Sequence, residues 1–156
     1  RTMGEDYKEF GASVQIEHHS EFLARHAHQL PKFAQDRRIA FHDPCYLGRY
    51  RGVYEEPRDA ARVGGLVLDP PRNRERSFCC GAGGGLAFLG EEKGTRVNMA
   101  RAEELVSLEP AVVGTACPFC NTMFRDALTT VSTKPPQLMD IAQIAAEAIQ
   151  ARSGER

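Results

Sequence analysis

Ala111-Val112-Val113-Gly114-Thr115-Ala116-Cys117-Pro118-Phe119-Cys120 is the stretch that decides the fold. Its first six residues read as a short strand that delivers Cys117 at its end. Pro118 suits the first position of a helix, where its missing N–H costs nothing. The stretch therefore predicts a helix from Phe119 to about Val131, with Cys120 in its first turn.

The same layout recurs upstream. Arg38-Ile39-Ala40-Phe41-His42 reads as a strand that stops at Asp43-Pro44-Cys45. A polar stretch punctuated by Gly48 and Gly52 follows, then a helix over 57–63, a Gly64-Gly65 turn and a third strand, Leu66-Val67-Leu68-Asp69. A helix over 95–108 is predicted to turn Val97, Ala100, Leu105 and Leu108 inward. Lys134-Pro135-Pro136 ends the helix after Cys120, and a last helix over 138–151 carries Leu138, Ile141, Ile144, Ala145 and Ala148 at helical spacing.

At the start of the chain, Ser13 to His18 alternates as a strand with Val14 and Ile16 on one face. A helix capped by Ser20, with Phe22, Leu23, His26 and Leu30 on one face, runs to Pro31. Strands alternating with helices imply an α/β fold, a mainly parallel sheet with helices on both faces. The functional crevice of such a sheet lies beyond the carboxyl ends of its strands, where Cys45 and Cys117 both fall. The chain divides into an N-terminal strand–helix segment (1–36) packed on the domain, a cysteine-rich domain (37–151) and a disordered tail (152–156).

With 156 residues, 42% of them hydrophobic, the chain suffices for one core. Lys and Arg number 20 against 21 Asp and Glu, so charge recommends no nucleic-acid or acidic-membrane partner. No apolar run approaches the roughly 20 residues that span a bilayer, and the polar opening lacks the layout of a secretory signal. A cytoplasmic location is expected, with membrane association only through segments outside this chain. The opening on Arg1, with Met3 inside a charged run, suggests a piece of a longer polypeptide.

The five cysteines are an odd number confined to positions 45–120, which argues against a disulfide framework and for a reducing compartment. Cys45 is separated by 33 residues from Cys79-Cys80-Gly81, and 36 residues lie between Cys80 and the pair Cys117 and Cys120. Thiolate is the soft ligand favoured by iron and zinc, and a CxxC at a helix start aims two sulfurs at one metal. Adjacent cysteines do not easily chelate one ion, but they reach different irons of a cluster. The glycines from Gly81 to Gly85, Gly81 and Gly83 among them, let the backbone approach so that amides donate to cluster sulfides. Nearby Arg49, Arg51, Arg72, Arg74 and Arg76 either offset the negative charge there or form a solvated surface.

Three rivals remain at this point. Zinc held by four of the five thiolates would leave one idle. A thioredoxin-like dithiol at Cys117 and Cys120 ignores the other three, and buried structural thiols do not explain a doublet followed by glycines. Gly81 to Gly85 is neither a dinucleotide fingerprint, since Leu86 replaces the third glycine, nor a P-loop, since no Gly-Lys-Ser/Thr follows. His42 is expected to pack against a backbone carbonyl, with donation to a ligand sulfur as the alternative. Asp43 caps the loop and Pro44 stiffens it, and His18, His19, His26 and His28 read as surface or core residues.

Three motifs, His42-Asp43-Pro44-Cys45-Tyr46-Leu47-Gly48-Arg49, Cys79-Cys80-Gly81-Ala82-Gly83-Gly84-Gly85 and Ala116-Cys117-Pro118-Phe119-Cys120, resemble the cysteine-rich CCG domain of the heterodisulfide reductase B subunit and related iron–sulfur oxidoreductases. The resemblance covers roughly residues 38–145. It implies a non-cubane four-iron, four-sulfur [4Fe-4S] cluster, held in that protein by five cysteines, where it works on a disulfide substrate. The matching ligands are Cys45, Cys79, Cys80, Cys117 and Cys120, and no separate catalytic residue is assigned. Relatives act in lactate, glycolate and glycerol-3-phosphate oxidation or accept electrons from electron-transfer flavoprotein, and many carry two CCG domains and a ferredoxin-like domain. With a single set, this chain looks like the C-terminal CCG domain of such a protein, an electron-transfer part whose partners are other domains of the same polypeptide, a flavoprotein or a ferredoxin-like domain. Arg49-Tyr50-Arg51-Gly52-Val53-Tyr54 and Pro71 to Arg76 look most like the membrane-associated bacterial relatives.

Overall fold

A computed structural model of the chain describes residues 3–32, 37–89 and 94–154. Among these, four strands form one parallel sheet: β1 (Arg38–Phe41), β2 (Leu66–Leu68), β3 (Val112–Thr115) and β4 (Gln137–Asp140), in the order β2-β1-β3-β4. The central strands β1 and β3 are buried almost throughout, as a strand covered on both faces requires. Ile39 pairs with Val112 and Phe41 with Gly114, while Val113 pairs with Leu138 of β4.

The α-helices among the described residues are α1 (His19–His26), α2 (Cys45–Arg51), α3 (Glu55–Ala61), α4 (Leu86–Leu89), α5 (Val97–Val106), α6 (Pro118–Val131) and α7 (Ile141–Gly154). Strand alternation sorts the core between the two faces of the sheet. Ala40 and Val113 pack with Leu105 of α5 and Phe124 and Leu128 of α6. Ile39 and Val112 pack with Ile144 and Ala148 of α7, and Phe41 with Ala60 and Ala61 of α3. The three layers of the α/β reading are thus present. Fully burying one such Phe or Ile stabilises by about 1.5–3 kcal/mol.

Several expectations need correction. Residues 13–18 form no strand, because the two apolar residues there make no stripe long enough to bury, and Val14 remains half exposed. The cap of α1 is His18 rather than Ser20: Ser20 N–H donates to His18 Nδ1, and His18 N–H to Glu21 Oε2 at 2.8 Å. The stretch after Cys45 is helical. Gly48 is buried inside α2, where a Cβ would collide with the Tyr54 ring, and Gly52 ends the helix in the left-handed conformation at φ 69°.

Residues 137–140 are an edge strand and α7 begins only at Ile141, since a four-residue strand is too short to show its own period against the helical spacing beyond it. The helix continues to Gly154, so residues 152–154 are not the tail expected there, while 155–156 lie outside the described residues. In α5 the most buried residues are Asn98, Arg101, Ala102 and Leu105, a face rotated from the expected one, with two polar side chains turned inward.

Among the described residues no helix is long and apolar enough to cross a membrane.

Candidate metal centre

The chain passes from β1 to the edge strand β2 and then crosses to β3 on the other side of β1. The sheet therefore has its switch point between β1 and β3, and their carboxyl ends open into one crevice. His42 N–H donates to the Gly114 carbonyl at 2.9 Å, the last rung between the two strands. Cys45 then opens α2 after β1, and Cys117 sits between β3 and α6 as the cap of that helix. Pro118 occupies the first turn, as its fixed φ favours.

The turn that presents Cys45 is held by a buried ion pair. Arg58 of α3, fully buried, donates from Nη1 to Asp43 Oδ1 at 2.7 Å and from Nη2 to Asp43 Oδ2 at 2.9 Å. Its Nε donates to Asp69 Oδ1 at 2.8 Å, and the Arg74 backbone N–H donates to Asp43 Oδ2. One guanidinium thus ties the ends of β1 and β2 together, and Asp43 in turn accepts from the loop that leads to Cys79. That loop is also anchored by Arg49 of α2, which donates to the Ser77 carbonyl at 2.7 Å.

The arginines near the cysteines are largely committed. Arg72 pairs with Glu104 and lies 3.8 Å over the Phe78 ring, and Arg74 pairs with Glu55 and Asp69. Both build the loop rather than present loose positive charge to the sulfurs.

The three cysteine segments converge. Cys80 and Cys120 are buried, and their sulfurs lie with one ring nitrogen of the buried His42 within 4.8 Å of one another. Cys80 lies close enough to Cys79 and Cys120 to share protons with them, Cys120 likewise neighbours Cys117, and Cys79 lies within electrostatic reach of Cys45. All five are free thiols, with Cys45, Cys79 and Cys117 half-buried. Gly81, at φ 87°, turns its N–H back onto Cys79 Sγ at 3.3 Å. Gly83, by contrast, opens an exposed turn with open space where a Cβ would stand.

The thiols divide the protons unequally. Cys80 is held far below the ordinary thiol range by hydrogen bonds from Cys120 and Cys79, helped by His42 and the Ala82 amide. Cys120 is pushed far up because it donates to Cys117 and Cys80 while buried, and Cys79 rises because it donates to Cys80. Cys117 falls to about 6, through the Cys120 thiol and then the Cys120 and Phe119 amides at the start of α6. In the metal-free chain Cys117, already mostly thiolate at pH 7, is therefore expected to be the cysteine alkylated first by iodoacetamide. Its rate should rise with a midpoint near about pH 6, and peptide mapping that finds a midpoint near an ordinary thiol's would reject this.

Gly81→Ala provides a second check. Its φ is left-handed and a Cβ would lie 3.2 Å from Val97 Cβ. A loss of about 1–2 kcal/mol is expected from the backbone alone, read as a lower urea midpoint.

His42 was expected to bond a backbone carbonyl. Instead its side chain packs edge-on against Phe124 at 4.7 Å, receives a hydrogen bond from Arg101 and faces Cys80. Burial, foremost, lowers its pKa. Arg101 escaped the sequence reading because a charged residue on an amphipathic helix is ordinarily placed outside.

The donor set suits an anionic, sulfur-bridged group. Among the described residues, the guanidinium Nη2 of Arg101 and the Thr115 hydroxyl are buried donors without a partner, in a place where such groups are normally satisfied. Thr115 lies two residues before Cys117. An apolar cleft of about 220 Å³, lined by Pro44, Tyr46, Tyr50, Ala116 and Pro118, reaches Cys117 from the surface.

Similarity to known proteins agrees with this picture. The chain is 35% identical over 150 residues to the probable iron-sulfur-binding oxidoreductase FadF of Bacillus subtilis, covering 92% of this chain and 21% of that protein. It is 31% identical to the EtfAB:quinone oxidoreductase of Syntrophomonas wolfei, covering 93% of this chain and 22% of that protein. It is 30% identical over 116 residues to a polypeptide of the dihydromethanophenazine:CoB--CoM heterodisulfide reductase of Methanosarcina acetivorans, covering 73% of this chain and 28% of that polypeptide. The chain thus spans between a fifth and a third of the length of these relatives. Residues 39–125, which contain all five cysteines, match the cysteine-rich domain family CCG, and the chain belongs to that family.

Proposed function

We propose that this chain is the iron–sulfur electron-transfer domain of a larger oxidoreductase, with Cys45, Cys79, Cys80, Cys117 and Cys120 holding a [4Fe-4S] cluster of the non-cubane kind. One observation carries the proposal: the adjacent sulfurs Cys79 and Cys80 have different surroundings, the second gathered with Cys120 and His42 within 4.8 Å and the first outside that group, accepting the Gly81 N–H. One metal ion does not take two adjacent cysteines easily, whereas separate irons of a cluster do. Five thiolates also exceed the four that tetrahedral zinc uses. When bound, such a cluster supplies one-electron storage at a potential set by its charge, hydrogen bonding and exposure.

The chain's own part is to hold and orient. The start of α6 supplies amides to Cys117, and the Gly81 backbone closes on Cys79. Gly83 adds less, since its amide lies in an exposed turn. The remaining domains of the polypeptide or a redox partner protein are the proposed electron partners, approaching by the cleft at Cys117. Peripheral membrane association through segments outside this chain belongs to the same proposal, since one relative is named as a quinone oxidoreductase and quinones reside in membranes.

Zinc is the second reading because His42, Cys80 and Cys120 converge as a three-ligand set. Purified without oxygen, the chain is expected to be brown, with iron and acid-labile sulfide each near about four per chain. A colourless anaerobic preparation holding one zinc per chain would overturn the proposal.

A further inference from the structure

The side chain of Arg101 carries information beyond its charge. It is fully buried, donates from Nη1 to the Arg72 carbonyl at 2.9 Å and to Glu104 Oε2 at 2.8 Å, and donates from Nε to His42 Nδ1 at 3.2 Å. A guanidinium has donors and no acceptor. His42 Nδ1 must therefore be the acceptor of that bond. The single ring proton of the neutral imidazole then sits on Nε2, the nitrogen turned from Arg101 and the one free to face Cys80, whose sulfur lies with a His42 ring nitrogen inside a 4.8 Å group.

We propose that Arg101 locks His42 as an Nε2–H donor to Cys80, making the imidazole a hydrogen-bonding positioning residue of the cysteine centre and excluding it as a metal ligand. The exclusion follows from the same geometry. A metal on Nε2 would require the proton on Nδ1, and Nδ1–H would then meet Arg101 Nε–H head to head. Its hydrogen bonds to Glu104 and the Arg72 carbonyl hold the buried Arg101 in that place. The three-ligand set of His42, Cys80 and Cys120 is thereby reduced to its two sulfurs, which favours the all-thiolate centre. A donor aimed at a ligand sulfur also draws charge from it and raises the reduction potential.

The potential effect rests on the cluster proposed above, while the tautomer does not, so the two can fail separately. Long-range 1H–15N correlation on the 15N-labelled, metal-free chain reads the tautomer directly. The expected result is a protonated Nε2 and an unprotonated Nδ1, and Nδ1–H in the parent chain would overturn the proposal without any substitution at Arg101. In Arg101→Met the single-tautomer signature should be lost.

In the iron-loaded chain, redox titration of His42→Leu should shift the oxidised-to-reduced ratio at a fixed poise about tenfold toward the oxidised form, about 59 mV for one electron. The double variant His42→Leu/Arg101→Met should shift no further if Arg101 acts through the ring, and an additive shift would overturn that coupling. A chain that shows the Nε2–H tautomer but takes up no iron would sink the cluster reading and leave the lock standing.

Discussion

Cys80→Ser is expected to leave the anaerobically purified chain nearly colourless, with iron falling from about four per chain to below about one. The size of the effect comes from where Cys80 sits. It is buried, its sulfur gathers with that of Cys120 and a ring nitrogen of His42 within 4.8 Å, and it adjoins Cys79. A serine oxygen is harder than a thiolate and reaches less far, so the middle member of the constellation is lost while its neighbours stay in place. The metal-free chain should still fold, because the Cys80 side chain adds only one small group to the core around Phe124. Circular dichroism checks this alongside iron and sulfide analysis. Full iron content in the variant would remove Cys80 from the proposed ligand set.

Arg58→Met is expected to cost about 3–5 kcal/mol, because removing one partner of a buried pair strands the other's charge. Asp43 is the stranded group, and it is as buried as the guanidinium that faces it. For a chain of this size the loss should lower the melting temperature by about 10 °C. Iron retention should fall as well, since the Asp43 turn delivers Cys45. A melting temperature within about 2 °C of the parent would show that the pair is structurally idle.

The same network gives a pH dependence. Burial alone would raise the Asp69 carboxyl, but hydrogen bonds from Arg58 and Arg74 outweigh it and hold the group below its ordinary value of 3.8. A depressed carboxylate stabilises above its unfolded pKa, and that contribution is lost as the pH falls through the lower folded value. Melting temperatures of the parent should therefore drop in the region below about pH 4, and those of Asp69→Asn less steeply.

The strands that lead to Cys45 and Cys117 were legible because β1 and β3 are short, mostly apolar runs with a proline three residues beyond, a signal that needs no partner to be read. The helix after Cys45 was not, because Gly48 and Gly52 mimic a loop. One of them makes room for Tyr54 and the other ends the helix. The edge strand β4 was hidden because four residues cannot declare a period, and only the open side of β3 makes them a strand. Arg58 and Arg101 were invisible for a different reason. A buried arginine is tolerable only beside its partners, and Asp43 and His42 come from distant positions in the chain.

By itself, then, the sequence determined an α/β layout, the family and the five thiols, because strand periodicity, proline placement and cysteine spacing are local and written in order along the chain. Tertiary structure alone decided how those thiols share their protons and which way His42 carries its own. Hydrogen bonds between Cys80, Cys120, His42 and Arg101 exist only after β1, the glycine loop, α5 and α6 have met at one sheet edge, and burial there gives each bond its strength.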